Sequence, residues 1–254
     1  MTKEFYKRHG FSSLLASPHA NPKIEKGNKL GNYASRPLHL APAKLSGFEV
    51  CPMATAGCRA ACLHTAGNPA YMKGKEKARV NRTKAFFTDR AAFMTTLAME
   101  IEKTIAQNKK AKKKTAIRLN ATSDIVWEAM PVEHKGKKFS SLMEAFPKVQ
   151  FYDYTKRHNR TVRPANYHLT YSLAENNDAR ALEALQAGMS VAAVFNVGRN
   201  KPLPKTFAIN GVEFPVIDGD PDDRRFLDPS QVIVGLRAKG RAKNDATGFV
   251  RNVL

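Results

Sequence analysis

Apolar positions along this chain follow two rhythms. From Lys73 to about Ala111 the spacing is helical: Phe93, Met94, Leu97, Ile101 and Ile105 return every three or four residues. Thr88 or Asp89 offers a cap within this stretch, so two successive helices are expected. The stripe reads as core packing. Beyond it the period shortens, and brief apolar runs occupy 115–120, 149–154, 167–172, 190–196, 214–218 and 231–236. Their length and their β-branched and aromatic content suit strands. Helical patterns over 140–146 and 177–187 fall between them, the second closed by Gly188. Strand–helix–strand alternation predicts right-handed parallel units. The expected fold class is therefore α/β, as a partial parallel (β/α) barrel of about six strands. A further apolar segment over 36–42 reads as a strand that leads into an irregular loop.

The first 31 residues do not share this pattern. Pro18, Pro22, Gly27 and Gly31 interrupt a basic stretch, which predicts an irregular N-terminal arm over 1–31 and a single α/β domain over 32–254. A chain of 254 residues can bury such a core as one domain.

Small polar and acidic residues collect where the predicted strands end. Asn120, Ser123 and Asp124 follow the first, Lys156 the second, Ser172 and Glu175 the third, and Asp218 and Asp220 the fifth. Parallel α/β folds bind ligands at the carboxyl ends of their strands. These eight residues are accordingly expected to surround a cofactor or substrate, with Tyr154 placed to stack on a base.

Charge narrows the choice of partner. Lys and Arg number 42 against 22 Asp and Glu, giving +20 and a pI of about 10.0. Such a field draws polyanions, so nucleic acid, DNA or RNA, is the expected partner, with salt-sensitive affinity. An acidic protein or a phosphorylated metabolite is the alternative. Lys75, Arg79 and Arg82 share one helix face, and Arg157 and Arg160 follow a strand end. These five are the candidate nucleic-acid contacts, against the plainer reading of a solvated face. The lysine run over 108–114 reads as an exposed loop. Mean hydropathy is −0.44, and no apolar stretch approaches the roughly 20 residues of a membrane span. The N-terminal residues lack a signal peptide's apolar core. No membrane partner and a cytoplasmic location are expected, the host cytoplasm if a phage encodes the chain.

The three cysteines, Cys51, Cys58 and Cys62, all lie within one twelve-residue window. An odd, clustered set suits a reducing compartment rather than a disulfide scaffold. Metal ligands must converge, and short spacings make that easy. One reading is a [4Fe–4S] cluster on the three thiolates, with one iron left open. Gly57 and the small residues around it leave room for a bulky inorganic core. A second is zinc, with His64 as fourth ligand. A third is three incidental thiols. His39 and His168 fall in strand-like segments, where a hydrogen-bonded core or mouth residue is expected. The chain has no Gly-rich phosphate loop, no His-Glu-x-x-His and no serine nucleophile elbow.

Several segments resemble the phage "gene product 88" family: Leu45 to Leu63, Arg118 to Glu128, Tyr152 to Lys156, Val216 to Asp220 and Arg225 to Pro229. The resemblance runs from about Asn32 to Phe249. It implies a phage origin and brings little chemistry with it. A looser resemblance is to radical S-adenosylmethionine enzymes, which carry three cysteines near the first strand of a partial barrel. The spacing here is Cys-x6-Cys-x3-Cys, where that family has Cys-x3-Cys-x2-Cys. This resemblance implies that Cys51, Cys58 and Cys62 hold a cluster and that S-adenosylmethionine binds its open iron. Asp124 would then take an amino group, Lys156 a carboxylate or phosphate, and the strand-end acids a ribose. The non-catalytic alternative is a structural or redox-sensing cluster in a nucleic-acid-binding or virion-associated protein.

Overall fold

The computed structural model describes residues 2–65, 73–160 and 163–253. In chain order the elements are α1 (Thr2–His9), α2 (Pro22–Lys29), β1 (Tyr33–Pro37), α3 (Ala56–Ala60), α4 (Lys73–Thr88), α5 (Arg90–Lys110), β2 (Lys114–Arg118), β3 (Val132–His134) and β4 (Lys137–Phe139). There follow α6 (Leu142–Ala145), β5 (Gln150–Thr155), β6 (Tyr167–Ser172), α7 (Asp178–Gln186), β7 (Val191–Phe195), β8 (Thr206–Ile209), β9 (Val212–Asp218), β10 (Ile233–Arg237) and β11 (Val250–Arg251). The protein is mixed α/β with largely parallel sheet pairing. Its contacts divide it into two compact units: residues 1–52, 69–153 and 161–168, and residues 53–68, 154–160 and 169–254.

In the first unit β2 pairs in parallel with β1 on one side and β5 on the other. Helix α5 covers this sheet. Phe93, Met94, Leu97 and Ile101 are buried on one face of it, as their spacing predicts. Its stripe meets an aromatic cluster in which Phe86 lies 5.3 Å from Phe93 and 5.2 Å from Trp127. The N-terminal residues correct the sequence reading. They form two helices, not an irregular arm, and Phe5, Leu14, Leu15 and Ile24 are all buried. The reason is Glu100 on α5. Its carboxylate accepts the backbone N–H groups of Leu14 at 2.6 Å and Leu15 at 2.8 Å, and the Tyr6 hydroxyl. Each buried apolar side chain adds about 1.5–3 kcal/mol. Basic residues on the outer faces had hidden these anchors.

The second unit places β6, β7, β10 and β9 side by side in parallel, and β11 extends β7 in parallel. β8 joins β9 antiparallel through Asn210 and Gly211, whose φ values of 49° and 80° match a two-residue hairpin turn. The core comprises Leu185 of α7 with Val191, Ala193 and Phe195 of β7, Ile209 and Ile233. Among the described residues the strands of neither unit close into a full barrel. β8, an antiparallel edge strand, ends the order in this unit.

Candidate functional site

In the first unit the carboxyl ends of β1 and β2 lie level, with Pro37 opposite Arg118. The chain then loops, and three hydrogen bonds fix the loops on one another. Leu38 N–H donates to Arg118 O at 2.8 Å, Thr122 Oγ1 donates to Leu40 O at 2.6 Å, and Asp124 N–H donates to Val50 O at 2.8 Å. Helix α4 docks from the side. Ala41 N–H donates to Thr83 Oγ1 at 2.8 Å, and that hydroxyl donates to Arg79 O at 2.9 Å. His39 stands at the centre of this junction. Its Nδ1 is buried and has no hydrogen-bond partner among the described residues. Burial, and then the positive charges of Arg79, Arg118, Arg82 and Lys75, push its imidazole down to about 3.

The same loops show what Asn120 does. Its Oδ1 accepts from Ser123 Oγ, Ile125 N–H and Trp127 Nε1, and its Nδ2 donates to Ile125 O. Its own N–H donates to Asp153 Oδ1 at 2.6 Å, and Asp153 Oδ2 accepts from Tyr167. This buried network shapes the loop that carries Ser123 and Asp124. Arg82 is likewise engaged: its Nε donates to Ser13 O at 2.7 Å, and its guanidinium lies over Phe11. It fastens the N-terminal segment, whereas Lys75 is exposed and Arg79 half-buried on the same helix.

In the second unit the polar residues past the strand ends form two groups. Lys156 Nζ donates to Ser172 Oγ at 2.8 Å and lies 5.5 Å from the Phe249 ring. Beside Ser172 in sequence, Glu175 grips the start of α3. Its carboxylate accepts from Thr55 Oγ1 at 2.7 Å and Gly57 N–H at 2.8 Å. Burial alone would raise this carboxyl, but those hydrogen bonds outweigh it and hold Glu175 below the usual range. Thr55 Oγ1 also accepts from Cys58 N–H, capping the helix. Ala61 then packs with Ala238, Ala242 and Val250. The other group is an ion-pair cluster. Arg237 Nη1 binds Asp218 at 3.0 Å and Asp220 at 3.1 Å, and Lys239 Nζ binds Asp220 at 2.7 Å. Arg157 and Arg160 follow β5 in this unit, with Arg157 N–H on Thr155 Oγ1.

No disulfide joins the three cysteines, and all three are partly exposed. Cys51 ends a tight loop in the first unit, where its Sγ accepts from Ala43 N–H at 3.5 Å and lies 3.8 Å from Thr122 O. Ala43 itself has a left-handed φ of 49°, an uncommon conformation for a residue with a Cβ. Cys58 lies in α3, and Cys62 follows four residues later, beyond its end. Thiolates are soft donors of the kind that iron–sulfur clusters take. Among the described residues, no three His, Cys, Asp or Glu side chains gather closely enough to hold a metal ion. No described helix is long and apolar enough to cross a membrane.

Sequence reasoning missed the company that His39 keeps. Arg118 closes a buried strand run, and only the register of β1 on β2 sets it level with Pro37, two residues before His39. Thr247 and Phe249, which enclose Gly57, gave no signal of their own. The molecule belongs to a class of mixed α/β proteins with charged residues past the ends of parallel strands and a thiol-bearing loop before the second helix pair. Within that class the chain belongs to the gene product 88 family, whose model matches residues 13–253. No curated protein and no solved structure matches it.

Proposed function

We propose that this is an iron–sulfur protein that acts on a nucleic acid or nucleotide. Cys51, Cys58 and Cys62 would hold a [4Fe–4S] cluster through three thiolates. The observation that carries the reading is the set of three partly exposed cysteines, none in a disulfide, within twelve residues of a chain with no other cysteine. When bound, an open-site cluster supplies a single-electron reductant able to cleave S-adenosylmethionine. The chain's own residues do the rest. Glu175, Thr55 and Gly57 fix the backbone that presents Cys58. Lys156, held by Ser172, offers a cation for a carboxylate or phosphate. Asp124, buried with its N–H on Val50 O, is positioned by the same loop that bears Cys51.

Anaerobic purification with iron and sulfide quantitation and an absorption spectrum tests the cluster. Near four iron and four sulfide per chain, with a broad brown absorption lost in Cys58→Ala, supports it. Stoichiometric zinc, or metal-free protein after reconstitution, removes it. Release of 5′-deoxyadenosine from reduced protein and S-adenosylmethionine would separate catalysis from binding.

The cations around His39 favour a second reading, a nucleic-acid-binding protein whose cluster is structural or redox-sensing. In that case the reduced protein leaves S-adenosylmethionine intact and still retains oligonucleotides.

A further inference from the structure

We propose that a five-lysine groove at the amino-terminal edge of the first unit's sheet is the docking surface for a nucleic-acid backbone. The proposal rests on the nucleic-acid part of the function above and does not depend on the cluster.

Contrary to its reading as a loop, the lysine run over 108–114 forms the last turn of α5 and the connection into β2. Lys109 lies in that last turn, and Lys114 opens β2. Lys148 belongs to a separate turn, ahead of β5. The β2–β5 register begins with Ala116 opposite Gln150, so Lys114 and Lys148 each stand two residues before it. With Lys112 and Lys113 they line a groove of about 380 Å³, which Ile105 and Val149 also line. Such apolar walls suit the methylene stems of lysine, whose ammonium groups stay in water. Lys113 Nζ donates to Asn28 O, and Lys114 Nζ lies 5.7 Å from the Tyr33 ring. Lys109, Lys112 and Lys148 are exposed and form no ion pair among the described residues. No carboxylate lines the groove.

Folding does not account for this arrangement. Like charges gathered in one groove repel, and nothing acidic within it offsets them. The carboxyl-terminal dipole of α5 favours Lys109, but it gives no reason for a lysine on the turn before β5. Lys112 is the sharper case. It follows the α5 cap residue and has a left-handed φ of 55°. Its N–H donates to Lys109 O, and Lys113 N–H donates to Asn108 O at 2.8 Å, which closes the helix. Glycine is the residue such a helix end favours, so the charge is kept there against backbone strain.

A nucleic-acid backbone fits this surface better than a protein does. Protein interfaces are depleted of lysine and anchored by aromatic residues, whereas nucleic-acid interfaces are strongly positive. No aromatic residue lines the groove. Lysine is a point charge without arginine's planar fork, so the contact takes phosphate and reads no base. The overall charge of +20 draws the same polyanion from a distance.

The test uses the full chain with labelled single-stranded DNA and RNA oligonucleotides, titrated by fluorescence anisotropy over a range of salt concentrations. The proteins are wild type, Lys112→Gly, Lys148→Gln, the two combined, and Lys3→Gln/Lys7→Gln, which removes two exposed charges from α1. Lys112→Gly removes a charge and relieves the left-handed backbone, so it should melt no lower than wild type while binding more weakly. Lys148→Gln probes the groove from a segment without that strain. The combined groove variant should bind about tenfold more weakly at moderate salt, and the slope of log affinity against log salt should fall in magnitude by about two. The α1 variant should lose less than about twofold and keep the wild-type slope. Equal losses in the groove and α1 variants, or a combined groove variant within about twofold of wild type, overturn the groove. Polyglutamate that binds more tightly than either oligonucleotide, and is lost in the same variants, assigns the surface to an acidic polypeptide and also overturns the proposal. Wild type that binds neither oligonucleotide overturns the nucleic-acid reading itself, whereas binding indifferent to Lys112 and Lys148 overturns the groove alone. Iron content measured on the same samples keeps the cluster question separate.

Discussion

Protonating His39 in the folded chain would set another positive charge among Lys75, Arg79, Arg82 and Arg118. The folded imidazole titrates at about 3, against about 6.5 when unfolded. Between those values the unfolded chain binds a proton that the folded chain refuses. Stability from this group is therefore full above about pH 6.5 and declines as the pH falls toward 3. Melting midpoints recorded from about pH 7.5 to about pH 4 should drop, and His39→Gln should flatten the decline. Parallel curves for the two proteins would show that other groups dominate. Gly57 offers a second prediction at this scale. A Cβ placed there would lie 2.2 Å from Thr247 Oγ1, 2.8 Å from Phe249 Cβ and 2.9 Å from Glu175 Oε2. Gly57→Ala should cost about 1–3 kcal/mol, visible as a lower urea midpoint with an unchanged slope.

Among the elements, α1 and α2 teach the most about reading this chain. Their basic, Pro- and Gly-broken sequence resembles an arm, yet one carboxylate on α5 organises the connection between them. Glu100→Gln keeps the shape but removes the charge that strengthens its bonds to Tyr6 and to Leu14 and Leu15 N–H. The loss should be about 1–3 kcal/mol, with faster proteolysis near residues 10–16. Proteolysis indistinguishable from wild type would mean that Phe5, Leu14 and Ile24 hold this segment by packing alone. The six apolar runs and the α5 stripe were legible because burial writes its period directly into sequence. The helix break at Asp89 was legible too. The β8–β9 hairpin was missed although Asn210–Gly211 carries its turn signal. β3, β4 and β11 are short, and β11 leans on β7 rather than on any pattern of its own. The surroundings of His39 were only partly legible. Arg79 stood out on a basic helix, but Arg118 comes level with Pro37 through strand register, which lies between segments and not within one.

Across the whole molecule the dominant quantity is charge. A surplus of +20 sets up a long-range field, so binding of any nucleic acid should fall as a power of salt concentration. A plot of log affinity against log salt should be linear. Replacing any lysine or arginine that contacts a phosphate should reduce its slope by about one, whereas a change in a residue that only supports folding leaves the slope intact. A flat plot would sink the polyanion reading. The acidic residues Asp218 and Asp220 do not weaken this field much, since Arg237 and Lys239 neutralise them locally.

The close fit of Thr247 and Phe249 over Gly57, with Val250 against Ala61, makes residues 247–250 a clasp on the strip of chain bearing Cys58 and Cys62. Trimming the protein after Asn244 should leave those sulfurs open to alkylating reagents far sooner than in the intact chain.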